Sequence, residues 1–387
     1  MRKFLFCNVA LQGHIKPTLP LVRELVRRGA EVIYYASADC AEAILATGAT
    51  FRPCGEASRV AAPGAQDENH LETQQAIVAQ VLADPYSRHA DVVVYDAICL
   101  WGWLLARILG IPAVQTFSTH PLNKAFHPFD PYSPGGQVPR ELPFDLYRTL
   151  DTICRKYQLP RFGHYDLYFH EEALNIVFLL REFHPAAHLF DTRYVFVGPA
   201  LPQVSEDHAP PVPMLMPGKP LVYISLGTVL VDLQAFYDIC LHAFGNAARQ
   251  VIMSIGNGID PEVFGPLPEN VAMYPSVSQI TLLQQAEAFI THGGMNSLME
   301  ALSYEVPLVV VPLSLEQQVS AQQIEALRLG VVIKDMRRLT AHILRQAITQ
   351  ATQDTEIRTN QQQISKSLRQ AGGWQLAADA IWTYANS

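Results

Sequence analysis

Two Rossmann-like, doubly wound α/β domains facing across a cleft are what the sequence predicts, and three observations carry the prediction. The chain has 387 residues, too many for one ordinary α/β domain and comfortable for two. Apolar runs of strand length alternate with longer amphipathic stretches through both halves. Between the halves stands the Pro-rich stretch EDHAPPVPMLMPGKP, which has little to bury and reads as a linker. The predicted organisation is a first domain over 1–205, a linker over 206–220 and a second domain over 221–370. A terminal helix over 371–387 can pack back on the first domain.

The elements follow in order. Phe4 to Ala10 reads as a buried strand, Pro17 to Arg28 as a helix with apolar Leu19, Leu21, Val22, Leu25 and Val26, and Gly29 as its stop. Glu31 to Ala36 is the next strand, completing a βαβ unit. The run ADVVVYDAICLWGWLLARILGIPAVQTF repeats strand, loop, helix, turn and strand. Its continuous Val-rich strands imply a parallel sheet covered on both faces. Residues 126–170, rich in Pro, Tyr, Phe and His, read as loop and short helix. After two more strands, ALNIVFLL and RYVFVGP, and the linker, the alternation restarts with PLVYISLGT, QVIMSIGNG, EAFITHGGMNSLMEAL, PLVVVPL and QVSAQQIEALRLG.

Composition excludes several function classes. Hydrophobic residues make up 49% of the chain and charged residues 17%, the balance of a globular protein. A formal net charge of −8 supplies no basic face for a phosphate backbone, so a nucleic-acid partner is not expected. No apolar stretch reaches membrane-spanning length. MRKFLFCNVA is too short an apolar run for a signal peptide and reads as the first strand. The cysteines at 7, 40, 54, 99, 154 and 240 form no C-x-x-C pair, which fits buried thiols in the cytoplasm.

The strongest local signal is a strand running through Thr291 and His292 into Gly293-Gly294 and then a helix. Glycine permits the tight turn and a close backbone approach, and the helix start offers free N–H groups and a positive dipole end to a diphosphate. His292, Asn296 and Ser297 can add donors, and Glu300 shares their helix face, where a carboxylate can accept ribose hydroxyls. The plainer reading makes Asn296 or Ser297 an ordinary N-cap. Thr228 stands at the end of an apolar strand, where such sheets bind ligands. Glu316-Gln317, after another strand, pair an acid with an amide that can hold neighbouring sugar hydroxyls; taken alone, a solvated helix start is the plainer reading. In the first half, His14 follows the first strand and Asp96 ends the strand VVVYD. A histidine with near-neutral pKa suits removal of a hydroxyl proton, and a carboxylate partner orients it.

HGGMNSLMEAL…VPLVVVPLSLEQQVSAQQIEALRLG resembles the nucleotide-sugar signature of the family of plant natural-product and bacterial macrolide glycosyltransferases, and GHIKPTLPLVRELVRRGAEVIYYAS resembles the same family. The resemblance spans most of the chain and is weakest in the Pro/Tyr-rich middle. It implies the two-Rossmann GT-B architecture. It also implies His292, Gly293, Gly294, Asn296 and Ser297 at the diphosphate, Glu300 at the ribose, Glu316 and Gln317 at the sugar, and Thr228 near the phosphates. Gln279 matches a glutamine near the base. The His14–Asp96 pair matches the family's catalytic dyad. Three departures stand out. Ser276 and Ser278 replace an aromatic residue and a proline, Glu316 replaces a commoner aspartate, and Lys16 stands where asparagine is common.

The implied activity is inverting, metal-independent transfer of a hexose from a UDP- or dTDP-sugar to a hydroxyl of a small hydrophobic acceptor such as a macrolide, polyketide or phenol. The nucleotide sugar is a cosubstrate, UDP-glucose-like, and no separate cofactor is expected. The sequence contains no Asp-x-Asp pair to hold a divalent ion, so no metal site is expected either. Trp101, Phe117, His120, Phe126, Phe129, Tyr132 and Phe144 are the candidates for an aromatic acceptor rim, with a place in the core the commoner fate of aromatics such as Trp101 and Phe117. Two other readings keep the donor site: a nucleotide-sugar epimerase or hydrolase, and a non-catalytic nucleotide-sugar-binding partner. A dinucleotide oxidoreductase lacks its G-x-G-x-x-G after the first strand. A monomer or homodimer is expected.

Overall fold

The computed structural model describes residues 1–54, 68–130, 137–138, 144–201, 216, 218–227, 233–256 and 258–387. The chain forms two compact units, Met1–Ala200 with Ala371–Ser387, and Leu201–Gln370. Most of the 206–220 stretch lies outside the described residues.

The first unit holds seven strands: β1 (Lys3–Cys7), β2 (Glu31–Ala36), β3 (Thr50–Pro53), β4 (Val92–Asp96), β5 (Ala113–Phe117), β6 (Leu174–Val177) and β7 (Tyr194–Phe196). They lie in the order β3-β2-β1-β4-β5-β6-β7, and every neighbouring pair is parallel. The apolar runs end up as expected for a sheet covered on both sides. Phe4, Phe6, Val32, Val92 and Val94 are at most 2% exposed. Each such side chain stabilises the unit by about 2 kcal/mol relative to exposure. The helix Thr18–Arg27 buries Leu21, Val22 and Leu25 and stops before Gly29, whose φ of +87° lies in the left-handed region. The terminal helix Gly373–Asn386 belongs to this unit. Its Ala377, Ala378 and Ile381 share the core with Leu21 and Leu25, and its Asp379 pairs with Arg28 at 2.7 Å.

The second unit holds six strands: β8 (Leu221–Ser225), β9 (Gln250–Ser254), β10 (Val271–Tyr274), β11 (Ala286–Thr291), β12 (Leu308–Val310) and β13 (Gly330–Val332). Their order is β10-β9-β8-β11-β12-β13, again all parallel. Both sheets are therefore of the Rossmann-like, doubly wound kind. Strand order reverses beside β1 and β4 in one and beside β8 and β11 in the other.

Two elements differ from the sequence reading. The first strand stops at Cys7, three residues before Ala10, because the Asn8 Oδ1 accepts the N–H of Val9 and the chain turns into a one-turn helix, Gln12–Ile15. The 126–170 stretch contains a 14-residue helix, Phe144–Tyr157, longer than the short helix expected there. Leu150, Ile153 and Cys154 form its buried stripe at i, i+3, i+4 spacing, a signal masked by the surrounding aromatic and proline residues.

The helix Leu100–Leu109 sits so close to the sheet that only glycine fits at 102. A Cβ there would lie 2.7 Å from the Cβ of Tyr95 and 2.9 Å from the Cβ of Cys7. Gly102→Ala is therefore expected to destabilise the first unit by about 1–3 kcal/mol, as overpacking does. The measurement is the urea unfolding midpoint, and an unshifted midpoint would show that the helix can slide away without cost.

Candidate active site

In the first unit the site begins at the carboxyl edge of the sheet. His14 lies on the one-turn helix after β1, and Asp96 is the last residue of β4, the strand beside it. The His14 Nδ1 is 2.9 Å from Asp96 Oδ2, with Asp96 almost fully enclosed and the imidazole partly exposed. The second carboxylate oxygen, Oδ1, accepts the backbone N–H of Ile98 at 3.0 Å. Asp96 does not cap a helix, since the next helix starts at Leu100 behind Cys99. With Asp96 as the acceptor, Nδ1 carries the proton and the basic lone pair falls on Nε2. Ser118, the first residue after β5, adds its Oγ at 2.9 Å from the same Nδ1. Sequence reasoning missed Ser118, although the rule that found Asp96, a polar residue at a strand's carboxyl end, points to it.

The second site lies at the carboxyl edge of the other sheet, where Ser225, Thr291 and Val310 are in register across β8, β11 and β12. The chain leaves β11 through His292, Gly293 and Gly294 into the helix Met295–Ser303. Gly294 is the N-cap, so Asn296 and Ser297 occupy the helix's first turn and are not caps. Gly293 has φ +87°, and a Cβ on it would meet Val310 at 2.9 Å. The His292 imidazole is wedged between two glycines. A Cβ on Gly227 would lie 2.9 Å from its Cε1, and one on Gly294 would lie 2.7 Å from its Nε2. Burial lowers the His292 pKa to about 4, so the ring is neutral near pH 7. Gly227 is a second residue that sequence reasoning did not single out; a glycine just past a strand end is its signal.

Gln279, Ser297 and Glu300 come together around one amide. Gln279 Nε2 donates to Glu300 Oε2 at 2.5 Å and to Ser297 Oγ at 3.1 Å, and Tyr223 OH donates to Gln279 Oε1 at 3.2 Å. Tyr223, on the buried strand β8, thereby fixes which end of the amide faces the carboxylate. Glu316 and Gln317 open the helix Leu315–Ala326, capped by Ser314. Gln317 Oε1 accepts the N–H of Leu313 at 2.8 Å, which turns its NH₂ group away from the cap. The plain reading of Gln317 as a helix start thus holds for its oxygen. Thr228 lies outside the described residues.

The aromatic rim is corrected at four positions. Trp101 is 0% exposed, His120 1%, Phe129 2% and Phe117 5%, so all four are packing residues as they stand. The reason is local: every residue of the helix from Leu100 to Ala106 is buried, and His120 sits among Phe183 and His184 rather than at the surface. Phe126 is half-buried with its ring against His184, centroids 4.9 Å apart. Tyr132 and the Phe144 side chain lie outside the described residues.

Comparison with known proteins places the whole chain in a family. Residues 238–371 match the family model described as erythromycin biosynthesis protein CIII-like, C-terminal domain. The chain is 34% identical to an NDP-glycosyltransferase, YjiC, of Bacillus licheniformis, over 97% of this chain and 95% of that protein. It belongs to the macrolide and natural-product glycosyltransferase family. It is 28% identical to an oleandomycin glycosyltransferase of Streptomyces antibioticus over 97% of this chain and 89% of that one. Among solved structures, the calicheamicin glycosyltransferase CalG4 superposes with a TM-score of 0.82 at 29% identity, covering 100% of this chain and 98% of that one. This chain is thus a glycosyltransferase of two parallel-sheet α/β units, the GT-B type.

Four enclosed imidazoles give this glycosyltransferase a defined acid sensitivity. Burial lowers His120 to about 3 and His170, His184 and His292 to about 4. In the unfolded chain each titrates near 6.5. Above that pH both states are neutral at these positions and the histidines do not affect stability. As pH falls from about 6.5 toward 4, only the unfolded state takes up the protons, and stability is lost at up to roughly 1 kcal/mol per pH unit per histidine. Denaturant unfolding between pH 7 and 4.5 is expected to show this decline, and a flat profile would contradict the neutral assignment.

Proposed function

We propose that this glycosyltransferase is inverting and metal-independent, and moves a hexose from a UDP- or dTDP-sugar to a hydroxyl of a small hydrophobic acceptor such as a macrolide, polyketide or phenolic natural product. The observation that carries the reading is the His14–Asp96 pair at 2.9 Å on the carboxyl edge of the first sheet. In this reading the Nε2 of His14 takes the proton of the acceptor hydroxyl as its oxygen attacks the anomeric carbon, and Asp96 stabilises the imidazolium that forms. Attack opposite the leaving nucleoside diphosphate inverts the anomeric centre without an enzyme nucleophile.

The donor half of the proposal rests on the second unit. The N–H groups after Gly293-Gly294, with His292, Asn296 and Ser297, receive the diphosphate. Glu300 accepts the ribose hydroxyls, Gln279 lies toward the base, Thr228 toward the phosphates, and Glu316 and Gln317 toward the sugar. Its neighbour Gln279 already donates to Glu300, which supports an acceptor role for that carboxylate. The nucleotide sugar is then the only cosubstrate and no cofactor is used. The six cysteines are all buried and form no disulfide, which supports a cytoplasmic setting. Among the described residues no helix is long and apolar enough to cross a membrane.

The direct test is nucleotide release from UDP-glucose or a dTDP-sugar with phenol and macrolide acceptors, chelator present throughout. Release that needs acceptor supports transfer; release without acceptor favours the hydrolase, and silence under chelator alone removes metal independence. His14→Ala is expected to lower turnover by about 10²-fold or more with nucleotide binding intact, since that is what a general base contributes. Equal turnover in the variant would remove the base assignment. Glu300→Ala is expected to weaken UDP binding, read by calorimetry, by about tenfold or more, the scale of a lost charge-assisted hydrogen bond. An unchanged Kd would exclude the ribose contact.

A further inference from the structure

The one-turn helix that carries His14 is too short to hold itself, because a single turn fixes many torsions for one hydrogen bond. Its last carbonyls also have no partner within the helix. Three enclosed polar side chains supply what it lacks. Asn8, Thr18 and Tyr34 are each at most 2% exposed.

Counting protons gives this network a direction. The Thr18 hydroxyl has one proton and donates it to the Ile15 carbonyl at 2.8 Å. Its 2.7 Å contact with the Tyr34 hydroxyl is therefore one in which Tyr34 donates. Tyr34 in turn accepts from Asn8 Nδ2 at 3.0 Å. The other hydrogen of the same Nδ2 goes to the carbonyl of His14 itself, also at 3.0 Å. Asn8 Oδ1 accepts the N–H of Val9 at 2.8 Å, so the Asn8 amide is used on both sides. Two consecutive carbonyls, of His14 and Ile15, thus hang from one buried amide, directly and through Tyr34 and Thr18. The side chains come from the end of β1, from β2 and from the helix Thr18–Arg27, all fixed by the core.

We infer that Asn8, Tyr34 and Thr18 are positioning residues, which set the backbone of His14 so that its imidazole meets Asp96. This rests on the reading of His14 as the base. None of the three touches the reacting atoms, and their effect passes through His14 alone.

The test uses the full chain with UDP-glucose and 2-naphthol as probes. In Asn8→Asp both donated hydrogens are lost at constant size. Turnover is expected to fall about 10²-fold, the cost of misplacing a catalytic group by an ångström. The KM for UDP-glucose stays unchanged. Tyr34→Phe removes one oxygen and is expected to lower turnover less, in the same direction. In the His14→Ala background neither substitution should cost more than about twofold, because the residue they act through is gone. Wild-type turnover in Tyr34→Phe and Asn8→Asp at unchanged Tm would overturn the inference. So would the same fractional loss with and without His14. Should Asn8→Asp fail to fold, Tyr34→Phe alone decides. Wild-type turnover in His14→Ala itself would overturn the base reading and this inference together, whereas a crippled His14→Ala beside unaffected Asn8 and Tyr34 variants overturns only the inference.

Discussion

Parallel strand pairing is the constraint on which both sites depend. When every strand in a sheet runs the same way, every strand ends at the same edge, and the residues just past those ends become neighbours regardless of their distance in sequence. His14, Asp96 and Ser118 span 104 residues, yet they meet at one nitrogen because β1, β4 and β5 lie side by side. His292 and Gly227 meet for the same reason across β11 and β8. In each unit the key pair also flanks the place where strand order reverses. There the chain leaves adjacent strands toward opposite sides of the sheet and opens a crevice between the two exits.

Close approach at these edges is achieved by removing side chains. Gly102 lets a helix descend onto Tyr95 and Cys7, and Gly227, Gly293 and Gly294 let backbone close around an imidazole and a valine. The consequence at the second site is that the turn into the helix lies directly against His292 and Val310. The consequence at the first is different, since the chain leaves β1 at Asn8 and not at a glycine. There the chain turns on a buried amide whose hydrogens and oxygen are all committed. A buried polar network of this sort specifies one geometry, because any slip leaves an unsatisfied group costing 1–3 kcal/mol.

Much of this was legible in the sequence, and what was not had a physical reason. Strand and helix alternation in the βαβ units followed from periodicity, because continuous Val-rich runs have few other uses than a covered parallel strand. The Gly-Gly helix start was legible because its parts are contiguous. The His14–Asp96 pair needed the further premise that their strands are neighbours, which the sheet supplies. For Trp101 and Phe117 core and rim both stood open, and burial of His120 was not legible, since an aromatic residue beside a strand end has the same sequence context whether it faces a ligand or the core. Ser118, Tyr223 and the Asn8–Tyr34–Thr18 network were missed because their partners are set by register across strands, and a hydroxyl gives no periodic signal.

Charge completes the comparison of the two sites. Every group assigned to the diphosphate is neutral: helix N–H groups, Asn296, Ser297 and an imidazole whose enclosure lowers its pKa to about 4. Glu300 and Glu316 are negative and belong to hydroxyl recognition in the proposed reading. In the proposed reading such a site holds a pyrophosphate through oriented dipoles and lets it go once the sugar has left, where a lysine or arginine pair would bind product more tightly than turnover needs. In the proposed reading the proton of the acceptor hydroxyl is taken in the other unit, by an imidazole that is partly exposed and tied to a carboxylate. His292 and His14 are thus the same residue type given opposite tasks by their surroundings. Wedging between two glycines suppresses the charge of one, and Asp96 orients the ring of the other.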